Sequence, residues 1–156
     1  MERRRVHVGD RKLWALTYNG HYMAPTLRIR PGDRLDLAMQ NRLDRPTNLH
    51  VHGLHVSPTG NSDNVIYVHI QPGQTFHYSY RFPGNLAPGT YWYHSHEDPI
   101  SAPQVAGGMP GLIVVDGLKR YLPFPPGDGS SSGSISPTTP GGPCFAATSS
   151  TTRTPA

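Results

Sequence analysis

Two segments of this 156-residue chain place histidine at alternate positions: His50-Val51-His52-Gly53 and His94-Ser95-His96. In an extended strand, residues i and i+2 project from the same face about 7 Å apart along the chain, so each segment offers two imidazoles on one side. If the two strands are neighbours, four imidazoles converge. Such a cluster suits an ion that accepts neutral nitrogen ligands, copper or zinc, before magnesium or calcium, which prefer oxygen. No thiolate accompanies the four, and copper is favoured by its place at the top of the divalent affinity series. The single cysteine, Cys144, can neither close an internal disulfide nor find a second thiol for a Cys-based zinc site.

The other histidines carry a plainer reading. His7, His21, His69 and His77 stand alone in their segments, as surface or hydrogen-bonded core residues do. His55 follows His52 by three residues, on the opposite face of a straight strand, and is left unligated, close enough for a supporting role. The β-barrel cupins also use His-x-His, but they add a Glu a few residues later and then a Gly. Here no carboxylate follows His52 until Asp63.

Positioning these side chains falls to strands. Leu27 and Ile29 alternate with Arg28 and Arg30; after the turn signal Pro31-Gly32-Asp33, Leu35, Leu37 and Met39 alternate with Arg34, Asp36 and Ala38. This period of two marks half-buried antiparallel strands. Further strands are expected at about 12–18, 48–56, 64–70, 74–82, 90–96 and 111–116, with Pro-Gly turns at 72–73, 83–84 and 88–89. About eight strands without a useful helical period predict an all-β chain, a Greek-key β-sandwich or small barrel. From Pro123 onward, Pro, Gly, Ser and Thr make up 25 of 34 residues. Such a segment lacks the apolar surface to offset its ordering entropy, so 1–122 is expected to fold and 123–156 to be a disordered low-complexity tail, with Cys144 an inert thiol within it.

Charge excludes rather than identifies. The formal net charge is +4, but apart from Arg3 to Arg5 the basic residues are scattered among Asp, and no nucleic-acid partner is expected. No stretch approaches the roughly 20 apolar residues of a membrane span, and no apolar run of a signal peptide follows Met1-Glu2-Arg3-Arg4-Arg5, so neither a membrane nor an export address is expected.

Taken in order, Tyr18-Asn19-Gly20, the run Pro25 to Asp33, Asn48-Leu49-His50-Val51-His52-Gly53-Leu54, Pro88-Gly89-Thr90-Tyr91-Trp92-Tyr93-His94-Ser95-His96 and Gly108-Met109-Pro110-Gly111-Leu112-Ile113-Val114-Val115 resemble the N-terminal cupredoxin domain of laccase-like multicopper oxidases. The resemblance runs from about residue 13 to 117. It implies a cupredoxin sandwich that contributes half the ligands of a trinuclear copper cluster reducing dioxygen to water. His50 would ligate the type 2 copper, His52 and His94 one type 3 copper, and His96 the other. Asp63 matches an acidic position associated with proton delivery, though the run Gly60-Asn61-Ser62-Asp63-Asn64 equally suits an Asx-type turn. Glu97 and Asp98 are expected in a solvated loop. Gly53 would allow close backbone approach to the cluster, Trp92 would pack in the core, and Gly107 and Gly108 would open the turn into the last strand.

The resemblance implies a type 1 copper held by one Cys and two His of the family's last domain, the Cys lying between two histidines, and two further His-x-His pairs of that domain that complete the trinuclear cluster. Cys144 lies between Pro143 and Phe145, and no His follows His96. The expectation is therefore a fragment, or a unit dependent on a C-terminal cupredoxin domain or separate chain, inactive as an oxidase by itself. A free-standing copper or zinc binding module is the alternative. Family location is periplasmic or extracellular.

Overall fold

The computed structural model describes residues 1–117, in which period-two alternation has produced eight strands and one short helix. Strands β1 (Glu2–Val8) and β2 (Arg11–Thr17) form an antiparallel hairpin. Strand β3 (Leu27–Ile29) lies at one edge of a four-stranded sheet of order β3, β8 (Pro110–Val115), β7 (Gly89–His94) and β5 (His50–His52). Its β3–β8 pair is parallel and the rest antiparallel. Strands β4 (Arg34–Gln40) and β6 (Thr75–Arg81) pair antiparallel as a separate layer, and helix α1 (Ser101–Ala106) connects β7 to β8.

Both layers turn apolar side chains into one core. Ile29, Val51, Tyr93, Ile113 and Val115 from the four-stranded sheet belong to the same buried cluster as Leu35, Met39, Tyr78 and Tyr80 from β4 and β6. The all-β sandwich expected from the alternation is the observed architecture. The expected tail 123–156, with Cys144, lies outside the described residues.

Several elements differ from expectation, each for a physical reason. Segment 64–70 is a turn, not a strand. Val68 N donates to Asn64 O (3.0 Å), and the carbonyls of Val65 and Val68 accept from the Asn48 amide, so only Ile70 is left to bridge Thr47. The expected strand 48–56 shrinks to three residues, because Gly53 turns the chain at φ 80°. Strand β1 was concealed by its run of three arginines; pairing with β2 instead sets Arg3 and Arg5 over the exposed Trp14 ring at 5.2 and 5.3 Å. Helix α1 is six residues long with Pro103 inside its first turn, too short to leave a period.

Gly111 has the tightest packing requirement. It sits opposite Tyr93 in the β7–β8 register, and the Tyr93 hydroxyl donates to Pro25 O at 2.6 Å, fixing the ring across the glycine. A Cβ on residue 111 would overlap that ring. Gly111→Ala is expected to cost about 1–3 kcal/mol through overpacking, read as a lowered melting temperature. An unchanged melting temperature would remove this constraint from the account.

Candidate metal centre

Pairing of β5 with β7 creates the site. The register sets His50 opposite His94, Val51 opposite Tyr93 and His52 opposite Trp92. Val51 and Tyr93 are buried in the core, so alternation turns His50, His52, Trp92 and His94 to the other face. His96 follows β7 directly. The His50 ring lies at the centre, with centroids 5.4 Å from His52, 5.2 Å from His94 and 5.4 Å from His96. One nitrogen from each of His50, His52 and His94 falls within a 4.8 Å group. His96 is outside that group but within ring contact distance of His50 and, at 6.1 Å, of His94. The four imidazoles expected to converge therefore do so.

Hydrogen bonds decide which nitrogens are left to act. His94 Nδ1 lies 2.8 Å from Ser95 O. A carbonyl only accepts, so Nδ1 carries the proton and the Nε2 lone pair is available. His50 Nδ1 meets Asp63 Oδ2 at 2.8 Å, while Asp63 Oδ1 accepts from Val51 N at 3.0 Å. The carboxylate thus grips β5 twice and leaves His50 Nε2 facing away. Histidine–carboxylate and histidine–carbonyl pairs of this kind orient metal-binding imidazoles. His94 Nε2 and His52 Nδ1 are 3.4 Å apart. That is about the separation of two nitrogens bound at roughly 2.0–2.1 Å to one tetrahedral ion. The donor set is entirely nitrogen, fitting copper or zinc rather than a hard oxygen-seeking cation.

Supporting residues come from both layers. Leu49, just before His50, donates through its N–H to the Tyr78 hydroxyl (2.9 Å) and accepts from the Tyr80 hydroxyl at its carbonyl (3.2 Å), tying β5 to β6. Burial pushes both tyrosine pKa values far above the ordinary range, so these hydroxyls stay protonated. Asn48 Oδ1 accepts from His96 N at 2.7 Å. Trp92 stacks on His94 at 4.1 Å and lies 5.0 Å from His52. It belongs to the outer histidine face rather than to the core, because its parity in β7 is that of His94. Gly53 supplies the positive-φ turn, and its nearest neighbour is the Tyr91 ring, not the histidine rings.

Of the acidic residues, Glu97 differs from expectation. Asp63 turns inward to β5. Glu97 is 5% exposed, with Oε1 2.9 Å from His69 Nδ1, so it does not sit in a solvated loop as Asp98 does. His69 is hydrogen-bonded as its plainer reading had it. His7, His21, His55 and His77 are exposed and lie outside the cluster. Sequence reasoning missed the contributions of Asn48, Thr47 and Gln104. Asn48 shared a segment with His50 and could have been found there; Gln104 left no signal.

Comparison with known proteins places this geometry. A family model described as multicopper oxidase matches residues 1–120. The chain is 36% identical over 105 residues to the multicopper oxidase mco of Staphylococcus haemolyticus (strain JCSC1435), covering 67% of this chain and 23% of that protein. It is 36% identical over 122 residues to copper resistance protein A of Pseudomonas syringae pv. tomato, covering 76% of this chain and 18% of that protein. Among solved structures, a multicopper oxidase from Campylobacter jejuni described as a metallo-oxidase superposes with a TM-score of 0.65 at 31% identity, over 74% of this chain and 24% of that one. The chain thus spans about a quarter or less of the length of these relatives.

The crowding has a measurable consequence. Desolvation lowers the His94 pKa from the ordinary 6.5, with neighbouring His50, His52 and His96 acting in the same direction and the Ser95 carbonyl opposing them. The unfolded chain therefore takes up this proton first as pH falls. His94 contributes no pH dependence well above 6.5 and destabilises the fold as pH drops below it. In the metal-free protein, ring-proton NMR is expected to give a His94 midpoint below 6.5, moving upward in His50→Gln. A midpoint at or above 6.5 would contradict the crowded arrangement.

Proposed function

Because the chain belongs to the multicopper oxidase family, we propose that it is a laccase-like cupredoxin unit supplying half the ligands of a trinuclear copper cluster at which dioxygen is reduced to water. Copper is the cofactor of that family. The observation that carries the reading is the His50–His94 register, with lone pairs of His50, His52 and His94 turned into one space and His96 beside it. The 3.4 Å approach of His52 and His94 favours their sharing one ion of the type 3 pair. His96, outside the three-nitrogen group, suits the other, and His50, central among the four, suits type 2. Copper held there would supply one-electron chemistry toward oxygen.

The chain's own residues orient and protonate. Asp63 holds the His50 ring through Nδ1, and its side chain retains 12% exposure, enough to exchange protons with solvent on the way to the cluster. Ser95 and Asn48 hold the second pair of histidines. The remaining ligands and the type 1 copper belong to a further cupredoxin unit, in the same polypeptide or another, and oxidase turnover requires it. The unit is placed outside the cytoplasm, the location that the resemblance to laccase-like multicopper oxidases implies. Among the described residues no helix is long and apolar enough to cross a membrane.

The test is copper titration of the full 156-residue chain, followed by electron paramagnetic resonance and by bound-metal analysis. Copper is expected to bind with a nitrogen-rich signal, while the double variant His50→Ala/His96→Ala loses stoichiometry and changes the spectrum. Identical stoichiometry and spectrum in that variant would discard the ligand assignment. The chain alone is expected to oxidise phenolic reductants at no more than background rate.

A further inference from the structure

Helix α1 is only six residues long, yet two of its side chains bond to Ser95, between the second pair of histidines. The Ser101 hydroxyl donates to Ser95 O at 2.8 Å, the same carbonyl that holds His94 Nδ1. Three residues along the helix, Gln104 is 4% exposed and makes bonds in three directions. Its Oε1 accepts from the Ser95 hydroxyl and from the Thr47 hydroxyl, the latter at 2.9 Å, while its Nε2 donates to Pro46 O at 2.7 Å. Ser95 lies between His94 and His96, and Thr47 lies three residues before His50. One amide therefore joins the two segments that carry all four imidazoles.

We propose that Gln104 is the positioning residue of the copper site, the staple that fixes the His94-Ser95-His96 segment against the His50-Val51-His52 segment. The proposal rests on the copper-binding reading above and extends it to a residue that touches no metal. The β5–β7 ladder aligns His50 with His94, but it covers only three residue pairs and ends at His94. Beyond that point the chain has left the sheet, and His96 must be held by something else. Asn48 takes its backbone N–H, and Gln104 takes the Ser95 side chain one residue earlier. A buried amide bonded to both segments resists their sliding apart, because separation would break the bonds from the Ser95 and Thr47 hydroxyls to Oε1 and from Nε2 to Pro46 O in a desolvated place, adding to the direct 3.3 Å contact between those two hydroxyls.

An apolar side chain of similar size fills the same volume but makes none of these bonds, so Gln104→Leu separates packing from positioning. Gln104→Glu keeps the size and shape of the side chain and, in its neutral acid form, can accept from both hydroxyls and donate to Pro46 O. In the full chain, Gln104→Leu is expected to remain folded and to bind copper about 10–100-fold more weakly, the loss typical when a supporting partner of a metal ligand is removed. Gln104→Glu is expected to stay within about threefold of the parent. Ser95→Ala and Thr47→Val should each weaken binding, and each should have little further effect in the Gln104→Leu background, as partners in one network do.

A second measurement needs no metal. Nuclear Overhauser contacts of the His96 ring with the His50 and His94 rings are expected in the parent and in Gln104→Glu, and are expected to weaken in Gln104→Leu. Parental copper affinity with parental ring contacts in a folded Gln104→Leu chain would overturn the staple, as would a Gln104→Glu chain as impaired as the leucine variant. Should Gln104→Leu fail to fold, Ser95→Ala and Thr47→Val decide by the same readouts: parental values in both would overturn it. A parent that binds no copper at all would instead count against the copper reading, and the ring contacts would still judge Gln104.

Discussion

The register between two short strands governs everything at this site. Three residue pairs of β5 and β7 put His50 across from His94, and parity then sends Val51 and Tyr93 into the core and the imidazoles to the opposite face. A slip of one residue would bury histidines and expose Val51. The core is therefore what enforces the site: Val51 at 1% exposure and Tyr93 at 4% cannot move to the surface without giving up the packing that the two layers share. Leu49, held by the Tyr78 and Tyr80 hydroxyls, and Gly111, fitted beneath the Tyr93 ring, lock the same register from either side.

Alignment in a ladder does not by itself orient an imidazole. Each ring can rotate about its Cβ, and each has two nitrogens. Asp63 settles the question for His50 and the Ser95 carbonyl settles it for His94, in both cases by engaging Nδ1. That choice frees Nε2 of each ring, and sets His94 Nε2 3.4 Å from His52 Nδ1, an approach that suits a shared cation. Fixing side chains in this way costs rotamer entropy during folding, so less remains to be lost when an ion arrives.

Much of this could be read from the chain before any coordinates, and the part that could not has a common character. Alternation revealed β4, β6 and β8 because half their side chains face the core and half face water. The His-x-His pairs were visible because strand parity converts a spacing of two into a shared face. By contrast, Arg3 to Arg5 read as a charge run, since pairing with β2 and contact with Trp14 are not encoded in local periodicity. The 64–70 segment had strand-like residues but spent its backbone bonds on a turn and on Asn48, a partner some 17 to 20 residues away. Glu97 and Gln104 were opaque for the same reason: their burial depends on partners, His69 for one and Thr47 with Ser95 for the other, that only the folded chain brings near.

Exposure within the cluster carries the last step. His94 is buried at 6%, whereas His52 and His96 are exposed and His50 is intermediate. Among the described residues, the strand bearing His50 and His52 is also the edge of its sheet, with a neighbour on one side only. A closed structural metal site surrounds its ion with protein from one fold and fills every position. Here the nitrogens point away from the core and lie at an edge, so an ion seated on them would keep coordination positions directed outward. That openness agrees with the proposed half-site, in which the remaining positions would go to ligands from a second cupredoxin unit and to a small oxidant between the two. A module built only to sequester an ion would gain affinity by closing over it, and the exposure of His52 and His96 runs against that design.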